Sequence, residues 1–402
     1  MKYFVLVPDG MADYPLADLG NKTPLEAAKT PNMDFVVGEG ILGMVKTVPA
    51  DVAPASDVAN LSILGYDPKI YYTGRGPLEA ANLGVTLNEE DVALRCNFVS
   101  TEGDILTDYS SGHISTEEAI VLLKVIKENL GTDDIMFYPG TSYRHLLLVK
   151  NGKKLGLDNI KYTPPHDIMG EKISKYLPKG ENAEVLIDLM QKSRGLLSSH
   201  EVNNVRIDLG ENPANMIWLW GQGTKPNMPA FREKFGVGGT IISAVDLLKG
   251  IGRLIGLETP DVPGATGYYD TDYFAKAKYG LESLEKEDFV YIHVEAPDEA
   301  GHNGDLRQKI VAIERFDQLV VGTILDVFKE RDDFRMLILP DHATPLAKRT
   351  HTNDNVCFVM YGEGVVSNGF SSFSEQEAQK SSLFIKEGSK IMDYLIQRDR
   401  LS

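Results

Sequence analysis

The sequence predicts an α/β fold in which a mostly parallel sheet is flanked by helices and a smaller α+β domain is inserted into the chain. Three short apolar runs, at residues 2–8, 289–297 and 335–340, each end in proline and are followed by an aspartate. Runs this short and this rich in aliphatic side chains are typical of buried parallel strands. Between the first two runs the pattern changes to alternating strands and helices, which indicates a separate unit.

The composition limits the kind of protein this can be. A chain of 402 residues suits two domains, or one large domain with an insertion. The 43% hydrophobic and 25% charged residues are ordinary for a globular protein. The formal net charge of -17 argues against a nucleic-acid or anionic-membrane partner, because phosphate groups attract an excess of lysine and arginine. A small anionic substrate is compatible with it, since an acidic protein can contain a local basic pocket.

The two cysteines, Cys96 and Cys357, each lie in an apolar strand-like run. They are most simply buried thiols, so we expect neither a disulfide framework nor a thiolate zinc cluster. The first apolar run, about six residues long, is too short for a signal-peptide core or a membrane span. We therefore expect a cytoplasmic protein. Its oligomeric state does not follow from the sequence.

The first part of the chain consists of short elements. A helix is expected to begin at Pro24, because proline is favoured in the first helical position. A strand is predicted at residues 43–48, and a turn of small residues then opens a helix at Ser56 that ends at Gly65. Capping is the commoner role of a serine at a helix start, but the backbone N–H groups and dipole there also favour a phosphate group.

The sequence texture changes after residues 72–77, which are rich in glycine. Alternating strands are predicted at 93–99 and 145–149, together with two helices. The first helix begins with a capping box at Ser115, and the second spans residues 184–197. These elements are typical of a compact α+β domain.

We place this insert at residues 77–213, and we predict that residues 1–76 and 214–402 form one discontinuous metal-binding domain. The larger domain is expected to resume with a strand at 216–221, followed by a helix at 240–257. Its later elements are predicted to be a long helix at 306–329, a strand at 356–361 and a closing helix at 389–397.

The aspartates that follow the three apolar runs, Asp9, Asp298 and Asp341, are expected to converge. Ligands of open α/β sheets bind just beyond the carboxyl ends of the strands. A single aspartate after a strand often only caps a helix or makes a turn. Three of them with histidines nearby favour a metal site. His302 follows Asp298 by one helical turn, a spacing that suits two ligands of one ion.

Two further histidines follow the third run: His342 directly, and His351 one short loop later. The candidate ligands offer oxygen and imidazole nitrogen but no sulfur, which suits Mn²⁺, Zn²⁺, Co²⁺ or Mg²⁺. A pair of ions about 4 Å apart would hold a phosphoryl group and activate a serine hydroxyl. The alternative is that these are capping and core polar residues. The candidate ligands are Asp9, Ser56, Asp298, His302, Asp341, His342 and His351.

Six motifs occur in order along the chain, at residues 8–13 (PDGMAD), 56–61 (SDVANL), 73–80 (TGRGPLEA), 263–267 (PGATG), 297–302 (PDEAGH) and 340–342 (PDH). In this order, and with an insert between them, they resemble the archaeal-type, cofactor-independent phosphoglycerate mutases of the alkaline phosphatase superfamily. The resemblance covers nearly the whole chain. It implies an alkaline-phosphatase-like core and the interconversion of 3-phosphoglycerate and 2-phosphoglycerate, in glycolysis and gluconeogenesis, without 2,3-bisphosphoglycerate.

The same resemblance implies a phosphoryl-transfer site with two Mn²⁺ ions. Ser56 would take the phosphoryl group from 3-phosphoglycerate, the glycerate would re-orient without leaving, and the phosphoryl group would return to its other hydroxyl. By the family's pattern the ligands form two sets, with Asp298, His302 and His351 on one ion, and Asp9, Asp341, His342 and Ser56 on the other.

A mutase must keep water from its phosphoserine, so the insert is expected to act as a lid that carries cationic groups. His113 in the insert resembles the family's substrate histidine, and Lys249 its active-site lysine. Arg144 is a further candidate, although a solvated surface cation is equally compatible with the sequence. Ala55 stands where the family pattern has glycine, and alanine is suitable there unless the position requires a positive φ.

Several other functions share these features. A phosphatase or phosphodiesterase of the same superfamily would use the same ligands but would expose the phosphoserine to water. A sulfatase is disfavoured, because its nucleophile normally derives from cysteine whereas Ser56 occupies that position. A relative recruited to another phosphorylated metabolite, such as a homoserine-kinase-like phosphotransferase, would have the same metal residues. A metal-binding protein without catalysis is the alternative of a different class.

Overall fold

The computed structural model describes residues 1–397, which form two compact units. The larger unit contains Met1–Tyr72 and the chain from Met228 onwards, and the smaller unit is Thr73–Asn227. The predicted boundary at residue 213 was therefore too early. The strand at 216–221, which we had assigned to the larger domain, instead pairs with a long strand of the smaller unit. Its backbone hydrogen bonds are made there, and an apolar run alone does not specify its partner strand.

Twelve strands lie in the described part of the chain. In chain order they are β1 (Lys2–Pro8), β2 (Ile41–Val45), β3 (Val92–Glu102), β4 (Ile105–Asp108), β5 (Ile135–Tyr138), β6 (Arg144–Val149), β7 (Met216–Gly223), β8 (Gly239–Ile242), β9 (Phe289–Val294), β10 (Phe334–Ile338), β11 (Val356–Gly362) and β12 (Phe384–Ile385).

The α-helices of the described residues are, in chain order, α1 (Pro24–Ala27), α2 (Pro31–Glu39), α3 (Ser56–Ile63), α4 (Pro68–Tyr71), α5 (Arg75–Asn82), α6 (Thr116–Leu130), α7 (Glu184–Leu197), α8 (Glu201–Asp208), α9 (Phe231–Phe235), α10 (Asp246–Leu254), α11 (Tyr273–Ser283), α12 (Ala296–Asn303), α13 (Leu306–Arg315), α14 (Gly322–Phe328) and α15 (Glu375–Lys380).

Three predicted helices differ from the structure. The strand β8 and the turn after it replace the start of the helix predicted at 240–257, because β8 pairs in parallel with β9 and α10 begins only at Asp246. The long helix predicted at 306–329 consists of α13 and α14 joined by a π-helical turn, Phe316–Val321. The closing helix predicted at 389–397 is present as short helical turns, Gly388–Lys390 and Asp393–Gln397.

The larger unit is built on a seven-stranded sheet in the order β12-β2-β11-β10-β1-β9-β8. Its central strands β10, β1, β9 and β8 are parallel. β1 lies between β10 and β9, so Leu6 is paired with Ile338 and Val7 with His293. The three predicted strands therefore end side by side at one edge of the sheet. Helices pack on the sheet, and the apolar side chains of both form a continuous core.

The smaller unit has a five-stranded sheet in which every pairing is antiparallel. β3 pairs with β4, β6 and β7, and one face of the sheet packs on α6 and α7. α6 begins with the predicted capping box, in which the hydroxyl of Ser115 accepts from the N–H of Glu118.

None of the helices within residues 1–397 is long and apolar enough to cross a membrane.

Candidate active site

The ends of β1, β9 and β10 bring the three predicted aspartates together. Asp9 directly follows β1, Asp341 lies in the loop after β10, and Asp298 lies in the first turn of α12. All three are buried. The N–H of Gly10 donates to Oδ1 of Asp341 at 3.1 Å. Gly10 has a φ of 60°, and a Cβ at this position would collide with the Asp298 carboxylate, so glycine permits this close approach.

One group of predicted ligands surrounds Asp298. Nε2 of His302 lies 3.2 Å from Oδ2 of Asp298, and Nε2 of His351 lies 3.4 Å from its Oδ1. The two imidazole Nε2 atoms are 2.9 Å apart. Nδ1 of His302 is 3.1 Å from the carbonyl oxygen of Arg349, which can accept its proton and leave Nε2 free as a metal ligand. The Asp298 carboxylate and the two Nε2 atoms therefore point at one position.

A second group contains the candidate nucleophile. Oγ of Ser56 lies 3.1 Å from Nε2 of His342. The same nitrogen is 3.5 Å from Oδ1 of Asp9 and 3.5 Å from Oδ2 of Asp341. Ser56 is the first residue of α3, and Ala55 before it has an extended backbone with a φ of -162°. Alanine is therefore unstrained where the family pattern has glycine.

The two groups are in contact with each other. The ligand atoms of Asp298, His342 and His351 lie within 4.8 Å of one another. His342 is thus close to both the Asp298 group and the Asp9 group. The structure brings all seven predicted ligands into one cluster in the larger unit, while the division of the ligands between two ions stays a prediction.

Several residues that hold these ligands were not predicted from the sequence. His293 in β9 contacts Asp9 and Asp341, with its Nε2 3.4 Å from Oδ2 of Asp9. The amide of Asn60 donates to Oδ2 of Asp341 at 2.8 Å, and the Thr344 hydroxyl donates to Asp298. A histidine inside an otherwise apolar, buried strand was the available signal, because a buried polar side chain requires a partner.

Burial and neighbouring groups shift the pKa values of the site residues in different directions. The pKa of Asp9 is raised well above its usual value by burial and by the neighbouring Asp341 and Asp298 charges. Burial also opposes ionisation of Asp298, but the contacts with His302 and His351 outweigh it and hold the pKa well below its usual value. Burial lowers the pKa of His342 to about 4, so its ring is neutral at neutral pH. A neutral imidazole is the form that binds metals.

These residues fit a pair of divalent cations. Three buried carboxylates lie among imidazole nitrogens, a donor set that suits borderline metal ions. Oδ1 of Asp9 and Nε2 of His293 are buried and have no hydrogen-bond partner among residues 1–397. Unsatisfied buried groups of this kind are costly unless an ion or another ligand pairs with them.

The predicted substrate residues lie in different places. In the smaller unit, His113 and Arg144 flank Tyr143: the His113 and Tyr143 ring centres are 6.0 Å apart, and the Arg144 guanidinium lies 5.6 Å from the centre of the Tyr143 ring. Both side chains are exposed. In the larger unit, Lys249 on α10 forms an ion pair of 2.5 Å with the exposed Asp261. Among the described residues, the Lys249 ammonium therefore pairs with Asp261 and not with a carboxylate of the candidate metal site.

The smaller unit also contains a buried cation that the sequence analysis did not single out. Arg95 on β3 is 7% exposed, and its guanidinium lies 4.9 Å from the centre of the Trp220 ring. Its nearest carboxylate, on Glu79, is 3.5 Å away. Nε of Arg95 and Nε1 of Trp220 are buried and, among residues 1–397, unbonded. Burial lowers the pKa of Arg95, and the positive charges of Arg75 and Arg144 lower it further, whereas Glu79 raises it. Arg95 therefore lies in a region with an excess of positive charge.

The glycine-rich motif at residues 73–77 contributes a second arginine beside the Trp220 ring. Gly74 has a φ of 138°, and a Cβ there would collide with the backbone of Gln222. Glycine therefore allows the start of α5 to pack directly on β7. Arg75 follows, with its guanidinium 5.7 Å from the centre of the Trp220 ring.

Comparison with known proteins identifies the family. The family model of 2,3-bisphosphoglycerate-independent phosphoglycerate mutase matches residues 38–203. A Methanosarcina mazei protein of that name is 48% identical over 399 residues, which are 99% of this chain and 100% of the relative. This chain belongs to the cofactor-independent phosphoglycerate mutase family. A Geobacter sulfurreducens protein, named as a probable member, is 49% identical over 403 residues, again 99% of this chain and 100% of the relative.

Solved structures agree with the fold of this mutase family. A Pyrococcus horikoshii protein superimposes with a TM-score of 0.84 at 31% identity and covers 99% of this chain and 98% of its own. The cofactor-independent phosphoglycerate mutase of Thermoplasma acidophilum has a TM-score of 0.68 at 28% identity and covers 99% of this chain and 100% of its own. The predicted family and the predicted α/β fold with an insert are confirmed.

Proposed function

We propose that this protein interconverts 3-phosphoglycerate and 2-phosphoglycerate without 2,3-bisphosphoglycerate, as an isomerase of glycolysis and gluconeogenesis. The observation that carries the proposal is the position of the Ser56 hydroxyl, 3.1 Å from His342 at the edge of the carboxylate and histidine cluster. A serine lacks nucleophilic strength at neutral pH unless a base or a metal ion activates it. Ser56 lies beside residues that would hold such an ion.

The cluster would hold two divalent ions, with Mn²⁺ foremost and Zn²⁺, Co²⁺ or Mg²⁺ as alternatives. The proposed ligands of one ion are Asp298, His302 and His351, and those of the other include Asp9, Asp341, His342 and Ser56. When bound, such ions lower the pKa of a coordinated hydroxyl and neutralise charge on the phosphoryl group.

Ser56 is the nucleophile of the proposed reaction. Its Oγ forms a bond to phosphorus while the bond between phosphorus and the C3 oxygen of the substrate breaks, and the serine proton passes to the departing oxygen. The glycerate then turns in place, and its C2 oxygen takes the phosphoryl group from the phosphoserine while Ser56 regains a proton. Because Ser56 is the first residue of α3, the N–H groups of that helix start also favour the phosphoryl oxygens.

We propose that the smaller unit binds the anionic groups of the substrate and shields the phosphoserine from water. Its candidate groups are Arg95 with Trp220, and the pair His113 and Arg144 beside Tyr143. The Arg95 guanidinium is buried, and its Nε has no hydrogen-bond partner among residues 1–397, which suits it to a carboxylate or a phosphate.

An enolase-coupled assay tests the proposal. The protein is loaded with Mn²⁺ and given 3-phosphoglycerate in the absence of 2,3-bisphosphoglycerate, and released phosphate is measured in parallel. We expect turnover that EDTA stops, with little free phosphate. Phosphate release without isomerisation would instead indicate a phosphatase. If neither isomerisation nor phosphate release is detected, the proposed mutase activity is contradicted. Other phosphorylated substrates would then be tested, such as those of a homoserine-kinase-like phosphotransferase.

A further inference from the structure

His293 occupies an unusual position for a histidine. It is the fifth of the six residues of β9, a strand that lies between β1 and β8, and it is fully buried. Its Nε2 is 3.4 Å from Oδ2 of Asp9 and 3.8 Å from Oδ2 of Asp341. This nitrogen has no hydrogen-bond partner within residues 1–397. It therefore points into a space between two carboxylates.

The other side of the ring faces a third carboxylate. Nδ1 of His293 lies 3.3 Å from Oε1 of Glu295. Glu295 is held in place by the Ser243 hydroxyl at 2.9 Å and the Ala244 N–H at 3.1 Å, and it forms an ion pair with the buried Lys276. A carboxylate fixed beside Nδ1 keeps the proton on that nitrogen and directs the lone pair of Nε2 away from it.

One ligand atom from each of Asp9, His293 and Asp341 lies within 4.8 Å of the others, a spacing that suits a single ion. Nε2 of His293 and Oδ1 of Asp9 are buried and have no hydrogen-bond partner within residues 1–397, and such groups are costly unless a ligand pairs with them. A metal ion between them would pair with both groups. Glu295, His293 and the ion would then form the carboxylate–histidine–metal arrangement that orients metal-binding histidines in proteins.

We propose that His293 is an additional ligand of the ion that Asp9 and Asp341 hold, and that Glu295 orients it. The inference rests on the proposed two-metal site and adds a ligand that the family resemblance did not supply. An imidazole nitrogen in place of another oxygen favours Mn²⁺, Co²⁺ or Zn²⁺ over Mg²⁺ at this position. The competing arrangement is a doubly protonated ring that donates a hydrogen bond to the two carboxylates and does not touch the ion.

The number of imidazole nitrogens that bind metal separates these arrangements in the unaltered protein. The chain has eight histidines, so ¹⁵N-histidine labelling gives a countable NMR spectrum. After saturation with Zn²⁺, we expect a metal-bound nitrogen from each of His293, His302, His342 and His351. Nitrogens from only the last three would overturn the proposal. This count requires no variant to fold and no catalytic turnover.

The variant His293→Gln provides a second readout. Its amide can still donate a hydrogen bond to the carboxylates but binds metal poorly. We expect it to lower the affinity for one Zn²⁺ ion by more than about 100-fold, beyond the roughly 10- to 100-fold loss that is usual for a residue that only orients a ligand, and to leave the other ion unaffected. The matched control is His145→Gln, a buried histidine of the smaller unit, which should leave Zn²⁺ affinity at both sites unchanged.

The outcomes also separate this inference from the proposed function. Two bound Zn²⁺ ions with unchanged affinity in His293→Gln would overturn the role of His293 and leave the two-metal mutase intact. A protein that binds no Zn²⁺ or Mn²⁺ at all would overturn both.

Discussion

The Ser56 hydroxyl oxygen lies 3.1 Å from Nε2 of His342, although 286 positions separate the two residues in the chain. Ser56 comes from the start of α3 and His342 from the loop after β10. Asn60 on α3 connects the two segments, because its amide donates to the carbonyl of Ser56 and to Oδ2 of Asp341, each at 2.8 Å. The nucleophile and the loop after β10 are therefore held together by one buried side chain.

Replacing the nucleophile should separate metal binding from catalysis. We expect Ser56→Ala to lower turnover by on the order of 10⁴-fold or more, because no phosphoserine can form. Both ions should remain bound, since Asp9, Asp341 and His342 are intact. The coupled assay and metal analysis by mass spectrometry measure these effects. Ser62→Ala, in the same helix, is the control. Near-normal isomerase activity of Ser56→Ala would rule out the phosphoserine mechanism.

Removing the ions should destabilise the protein as well as inactivate it. Asp9, Asp298 and Asp341 are buried close together, and without cations their charges repel. A site saturated at 100 times its Kd contributes about 2.7 kcal/mol to the free energy of unfolding. Thermal unfolding with EDTA and with excess Mn²⁺ should therefore show a lower Tm in EDTA, and added Mn²⁺ should restore activity. Asp298→Asn should show a smaller Mn²⁺ stabilisation than the exposed-site control Asp51→Asn. An equal Tm in both buffers would contradict the metal site.

The buried arginine of the smaller unit should determine substrate affinity. Hydrogen bonds to charged groups contribute about 1.5–3 kcal/mol, so Arg95→Ala is expected to raise the KM for 3-phosphoglycerate by roughly 10- to 100-fold. Its Mn²⁺ content should not change, because Arg95 belongs to the smaller unit and the ligands to the larger one. Arg194→Ala, at a partly exposed arginine of the same unit, serves as the control. An unchanged KM and kcat for Arg95→Ala would assign Arg95 a purely structural role.

A buried glutamate should make stability depend on pH. Glu375 accepts hydrogen bonds from the Asp13 N–H and the Thr23 hydroxyl, and burial raises its pKa from 4.5 to about 7. The unfolded chain releases this proton near its ordinary pKa, so the folded protein binds more protons between the two values. The contribution of Glu375 to stability is therefore fully present below pH 4.5 and is lost as the pH rises through about 7.

Urea unfolding of wild type and Glu375→Gln measures this effect. Between pH 5 and pH 8, wild type should lose about 2 kcal/mol more than the variant, both with EDTA present so that metal binding does not contribute. Parallel pH profiles of the two proteins would show that Glu375 is not responsible.

Local patterns in the sequence predicted much of the fold. The predicted capping box starts α6 at Thr116, and α7 spans the residues predicted for it. Short apolar runs with terminal prolines indicated the central strands, because a strand buried on both faces needs aliphatic residues throughout. The same local patterns could not assign β7 to a sheet, since they do not specify which strand completes its hydrogen bonds.

The sequence by itself determined the chemistry that this protein offers: three aspartates after three strands, histidines one turn or one loop away, and a serine at a helix start. These features depend on the types of the residues and on short spacings along the chain, both of which can be read from the sequence. Tertiary structure decided which groups meet. It placed His293 between Asp9 and Asp341, and Arg95 beside Trp220. Such contacts depend on strand register across hundreds of residues, and side-chain identity alone does not encode register.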